Sequence, residues 1–103
     1  MAVGELVTVA RADEIPPGTC RVVTAGEREV ALYNVDGMFY ATQNNCLHLG
    51  RPLGDGRLED SVVTCPWHGW QYDVRTGENE FDRALALEQL DVVVEDGDVK
   101  VML

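Results

Sequence analysis

Short apolar runs separated by turn residues make up most of the chain, and they alternate with polar positions at the period of a strand, not of a helix. Glu5 to Ala10 predicts a first strand, Pro16-Pro17-Gly18 breaks the chain, and Thr19 to Thr24 predicts a second. Glu29 to Val35 and Met38 to Thr42 flank Asp36-Gly37, a two-residue connection that predicts a type I′ hairpin because Gly tolerates positive φ. Near the other end Leu90, Val92 and Val94 alternate with Asp91, Val93 and Glu95. Asp96-Gly97 then turns the chain into Val99 to Leu103, which predicts a second hairpin. Ala84 to Leu90 has helix-favouring residues in a setting of strands, and the setting predicts an irregular path.

Between the hairpins the texture changes. Gln43 to Trp70 is punctuated by Gly50, Pro52, Gly54, Gly56, Pro66 and Gly69, which predicts loops around one short β pair near Arg57 to Thr64. The expected architecture is one all-β domain over 1–103. Its base, 1–42 and 71–103, consists of small antiparallel sheets in a sandwich or barrel-like arrangement, and it carries a two-loop insert over 43–70. At 103 residues the chain has room for one modest core and none for a second catalytic domain. With 46% hydrophobic and 25% charged residues it has the composition of a folded globular protein.

A formal charge of -10 and a pI near 4.4 argue against nucleic acid or an anionic membrane surface as partner. They suit a partner with a basic face, or simply a soluble monomer. The Met-Ala-Val-Gly-Glu start lacks the basic and apolar regions of a signal peptide, and no apolar stretch approaches the roughly 20 residues of a membrane helix. A soluble, cytoplasmic protein is expected. The odd number of cysteines, 3, rules out a complete disulfide framework and fits a reducing compartment.

Two of those cysteines stand at metal-ligand spacings. The insert contains Cys46-Leu47-His48-Leu49-Gly50 and, further on, Cys65-Pro66-Trp67-His68-Gly69-Trp70. His48 and His68 are the chain's only histidines, and both lie next to a cysteine in Gly- and Pro-rich loops. Cys20 lies in a predicted strand far from this motif, where a small buried hydrophobe is expected and no function is assigned. Glu80, Asp82 and Arg83 read as a solvated turn.

C-x-H, a spacer, then C-x-x-H-G resembles the Rieske motif, and CPWHGWQYDVRTGE is similar to the second cluster loop of ring-hydroxylating dioxygenase systems. The resemblance implies a Rieske-like fold with one 2Fe-2S cluster, Cys46 and Cys65 on one iron and His48 and His68 on the other. Two ferric ions and two sulfides make a formally dipositive core, so two thiolates and two neutral imidazoles leave the oxidised centre neutral. An electron is then added more easily than to a four-thiolate cluster, within roughly -150 to +300 mV. Leu49, Gly50 and the stretch Trp67, Gly69 and Trp70 are candidates for backbone N–H donors to the sulfurs, or simply for making the loops.

Rieske proteins of respiratory complexes resemble this chain but have an additional cysteine in each loop, where Arg51 and Trp67 stand here. They also tend to have a serine after the second His-Gly, where Trp70 stands. These differences place the chain with the ferredoxin and oxygenase branch. Tyr72 occupies the place from which a hydroxyl donates to the first cysteine, Cys46, raising the potential; an ordinary half-buried strand residue is the alternative. The segment 43–70 carries a net charge of only -1, and Leu47, Leu49, Pro52, Leu53, Pro66 and Trp67 are expected to give its tip an apolar rim. Such a rim suits the small contacts of electron carriers, under roughly 1,200 Å², or else shields the cluster from water.

The resemblance implies a one-electron carrier without catalysis of its own, passing electrons from a ferredoxin reductase to the terminal oxygenase of an aromatic ring-hydroxylating system. Two other readings remain at this point. One is the small subunit of an assimilatory NADH-dependent nitrite reductase, which shares the fold and length. The other is a structural Cys2His2 zinc module, since the same ligand types bind zinc tetrahedrally.

Overall fold

A computed structural model describes residues 5–47, 52–66 and 69–103. Among these residues ten strands and two short 3-10 turns follow one another: β1 (Leu6–Arg11), a turn at Ala12–Glu14, β2 (Cys20–Ala25), β3 (Arg28–Val35), β4 (Met38–Gln43), a turn at Leu53–Asp55, β5 (Arg57–Glu59), β6 (Val62–Thr64), β7 (Gln71–Asp73), β8 (Gln89–Leu90), β9 (Val92–Glu95) and β10 (Asp98–Met102). They form three antiparallel sheets, ordered β1-β10-β9, β2-β3-β4-β8 and β5-β6-β7. The expected all-β class with small antiparallel sheets is what the chain adopts.

The middle sheet separates two cores. In β3 successive side chains point to opposite faces, and from Val30 to Asn34 both faces are buried: Val30 and Leu32 enter one core with Val99 and Val101 of β10, whereas Ala31 and Tyr33 enter the other with Leu58, Val63 and Tyr72. The second core also holds Cys46 and Cys65. Burying the Tyr33 hydroxyl is offset by its 2.8 Å hydrogen bond with Thr42 Oγ1.

Both hairpins have the predicted turn chemistry. Asp36 and Gly37 take φ of 51° and 94°, and Asp96 and Gly97 take 52° and 81°, the pair of positive values that a type I′ connection requires. The β pair predicted near Arg57 to Thr64 is β5 and β6. Their sheet continues past Trp70, because β7 pairs with β6 from Val62 opposite Asp73 to Thr64 opposite Gln71.

Two local expectations need correction. Leu90 and Val94 do not share a face: Leu90 belongs to β8 and is buried against β4, whereas Val94 on the edge strand β9 is 47% exposed. The chain changes sheets at Asp91, whose carbonyl accepts a hydrogen bond from Met102 N at 2.9 Å, so the alternation runs across a break in the sheet. Cys20, distant from the motif in sequence, packs beside the insert with Sγ 3.4 Å from the Gly56 carbonyl oxygen. Burial, reinforced by the nearby Asp55 carboxylate, pushes its thiol up to about 11, so it is protonated and inert at neutral pH.

Candidate metal centre

The two cysteines lie in the connections between β4 and β5 and between β6 and β7, and each connection is tied at its neck. At the first, Asn45 and Pro52 form an antiparallel bridge, and Asn44 accepts from Leu53 N through its carbonyl oxygen at 2.7 Å and from Gly54 N through Oδ1 at 3.1 Å. At the second, Cys65 N donates to the Trp70 carbonyl oxygen at 2.7 Å, directly above the last β6–β7 pair. Each neck thus holds a cysteine beside paired backbone, where its side chain is positioned more rigidly than on a loop tip.

The insert is seated on the middle sheet through Gly54. A Cβ there would lie 2.5 Å from Val22 N and 2.7 Å from the Arg21 carbonyl carbon, so only glycine allows the 3-10 turn this close to β2. Leu53, expected on the apolar rim, is fully buried in the core that holds Cys46 and Cys65. The reason is the same: close approach of the turn to β2 directs the preceding side chain inward. Leu47, 40% exposed, and the exposed Pro66 stay at the surface, and Pro52 is half-buried.

Cys46 and Cys65 are each 2% exposed, lie in one buried cluster and take part in no disulfide. Tyr72 is fully buried in the same cluster, and its hydroxyl oxygen lies 3.4 Å from Cys46 Sγ while accepting from Leu47 N at 3.3 Å. Burial pushes the Tyr72 phenol well above its usual range, and Cys46 adds to the rise. The hydroxyl therefore keeps its proton and can donate it to a thiolate. Tyr72 is thus a strand residue of β7 that is fully buried and not half-buried.

Among the other expected site residues, Gly69 is exposed at φ 70° and Trp70 is half-buried, packed edge-to-face on Phe81 with ring centroids 5.1 Å apart and planes at 82°. His48, Leu49, Gly50, Trp67 and His68 lie outside the described residues, as does Arg51. Accordingly no group of three or more ligating side chains occurs among the described residues. The donor chemistry nevertheless fits a metal-sulfur group: two buried sulfurs, a hydroxyl beside one of them that is itself held by a backbone N–H, and a buried amide N–H on Asn79 that has no partner.

Two residues near the site escaped the sequence reading. Phe81 is 66% exposed beside Trp70, and only its isolation between Glu80 and Asp82 marks it. Asn79 is 1% exposed and stands opposite Tyr72 in an antiparallel bridge. Nothing in its local sequence signals that position.

Residues 5–100 match the family model of the Rieske [2Fe-2S] domain, and the chain belongs to that family. The family indicates a single Rieske-type 2Fe-2S cluster. Within the family the chain is similar to ferredoxin components of aromatic dioxygenase systems. It is 40% identical over 72 residues to the ferredoxin component of the naphthalene 1,2-dioxygenase/salicylate 5-hydroxylase systems of Ralstonia sp., covering 70% of this chain and 69% of the relative. To the ferredoxin component of the naphthalene 1,2-dioxygenase system of Pseudomonas aeruginosa it is 45% identical over 64 residues, 62% of each chain. The match thus spans between 62% and 69% of these curated relatives. A chain of the complex of reduced oxygenase and oxidized ferredoxin in carbazole 1,9a-dioxygenase superposes with a TM-score of 0.85 at 35% identity, covering 93% of this chain and 91% of that one. No helix among the described residues is long and apolar enough to cross a membrane.

Proposed function

We propose that this chain is the ferredoxin component of a ring-hydroxylating dioxygenase system. It accepts one electron from a reductase and delivers it to a terminal oxygenase, acting as a monomer in the cytoplasm and catalysing no substrate chemistry. Cys46 and Cys65 hold one iron of the cluster and His48 and His68 the other, with residues 43–70 as the cluster-binding insert. When bound, the cluster supplies a one-electron couple. The observation that carries the reading is the burial of Cys46 and Cys65 together, with the Tyr72 hydroxyl 3.4 Å from one of the two sulfurs.

The residues around that centre have distinct tasks. The two necks fix the cysteine positions, Tyr33, Leu53, Val63 and Val74 exclude water from behind, and Leu47 and Pro66 leave an apolar surface in front. A tip of this kind suits a brief contact with a partner. Relatives that are ferredoxin components support this reading over the nitrite reductase subunit, and co-purification with a sirohaem protein would reverse that order.

The test begins with iron, acid-labile sulfide and the reduced-state paramagnetic spectrum of the purified holoprotein. Two irons and two sulfides per chain are expected, with loss of the spectrum in His48→Ala and His68→Ala and of oxygenase turnover in an assay reconstituted with reductase and oxygenase. Absence of sulfide, or an unchanged spectrum after both histidines are replaced, defeats the proposal.

A further inference from the structure

Asn79 is held in one orientation by its own turn. Its Oδ1 accepts hydrogen bonds from Phe81 N at 3.0 Å and Asp82 N at 3.1 Å, which leaves Nδ2 as the inward end of the amide. The backbone on either side is equally constrained, since Asn79 N donates to the Leu85 carbonyl oxygen at 2.8 Å and Glu80 N to the Gln71 carbonyl oxygen at 2.9 Å. Nδ2 is buried and makes no hydrogen bond. A buried amide donor without an acceptor is costly and calls for an explanation.

The Tyr72 hydroxyl supplies one. Tyr72 and Asn79 face each other across an antiparallel bridge, an arrangement that puts both side chains on the same face of the sheet. A phenol has one proton to give and two lone pairs to receive with. With Cys46 as a thiolate ligand the hydroxyl is the donor in its contact with Cys46 Sγ, and the Leu47 N–H takes one lone pair. A second lone pair is left over, an acceptor of the kind Nδ2 lacks.

Building on the proposed cluster at Cys46, we infer that Asn79 is a positioning residue: its amide N–H holds the Tyr72 hydroxyl so that the proton points at the Cys46 sulfur, and it thereby helps to set the reduction potential. With both lone pairs of the oxygen occupied, the hydroxyl has a single productive rotation. Without Asn79 it can turn away, and less positive charge then faces the sulfur when the cluster gains an electron.

The experiment is a cycle of midpoint potentials on the holoproteins of wild type, Asn79→Ser, Tyr72→Phe and the double variant. Serine keeps an oxygen for the turn and removes the amide N–H. Asn79→Ser is expected to lower the potential by less than Tyr72→Phe does, and to have no further effect once residue 72 lacks its hydroxyl. An equal shift in both backgrounds, or none in either, overturns the inference. Asn79→Asp, which keeps both acceptor contacts of the turn, is measured in parallel. Its shift is expected to differ between the Tyr72 and Tyr72→Phe backgrounds, and strict additivity overturns the inference. Loss of the cluster from both Asn79 variants while Tyr72→Phe retains it assigns Asn79 to the fold alone and also overturns it. A wild-type protein devoid of the cluster refutes instead the underlying reading of the site, so the two failures are distinguishable.

Discussion

The hydroxyl oxygen of Tyr72 lies 3.4 Å from the sulfur of Cys46 and 3.3 Å from Leu47 N, joining β7 of the third sheet to the neck of the first loop. A hydrogen bond to a charged acceptor contributes about 1.5–3 kcal/mol, and only the part that strengthens on reduction moves the potential. If that part is about 1 kcal/mol, the midpoint of Tyr72→Phe falls by about 40 mV, since a factor of ten is about 59 mV for one electron. Voltammetry of the two holoproteins measures the difference directly. An unchanged midpoint would show that the hydroxyl does not act on the sulfur.

Gly54 tests how firmly the insert is seated. In Gly54→Ala the new methyl meets Val22 N and the Arg21 carbonyl carbon, both backbone atoms that have no rotamer to escape into. Overpacking of this kind costs about 1–3 kcal/mol, and each kcal/mol lowers Tm by roughly 4–8 °C in a domain of this size. Thermal unfolding followed by circular dichroism should show the fall, with earlier bleaching of the visible cluster absorbance. A variant that melts with the wild type would mean that β2 and the turn can separate at no cost.

The features legible in the sequence are those that one local segment determines. Asp36-Gly37 and Asp96-Gly97 specify their turns with two residues each, and the cysteine and histidine spacings stand out because few chemistries need them. Features decided by a distant partner are not legible. Leu53 reads as a rim residue until Gly54 brings its turn against β2. Leu90 and Val94 read as one face until the sheet change at Asp91 separates them. Asn79 reads as an ordinary turn residue because its burial depends on pairing with both Tyr72 and Leu85. In each case the missing information is which backbone lies opposite, a tertiary fact that period and propensity do not carry.

Asp73, the residue after Tyr72, gives the site a dependence on acid. Its partial burial works to raise its pKa, but hydrogen bonds and charge from Arg75 outweigh that and hold the carboxyl below the ordinary value of 3.8. Oδ1 accepts from Arg75 N at 2.9 Å and Oδ2 from Nη2 at 3.2 Å, while the Asp73 carbonyl oxygen accepts from Gly77 N at 2.6 Å. A carboxyl whose pKa is lower folded than unfolded stabilises the fold above the unfolded value, and that contribution is lost as pH falls through the folded value. Asp73→Asn keeps an oxygen for Arg75 N and removes the charge. Urea unfolding of the two holoproteins should therefore show the wild type more stable at neutral pH, by a margin that added salt reduces because Arg75 is exposed. Below 3.8 the two stabilities should converge. A constant margin from neutral to acid pH would mean that the variant loses packing and not charge, and the ion pair would then have no part in holding the turn that leads from Tyr72 to Asn79.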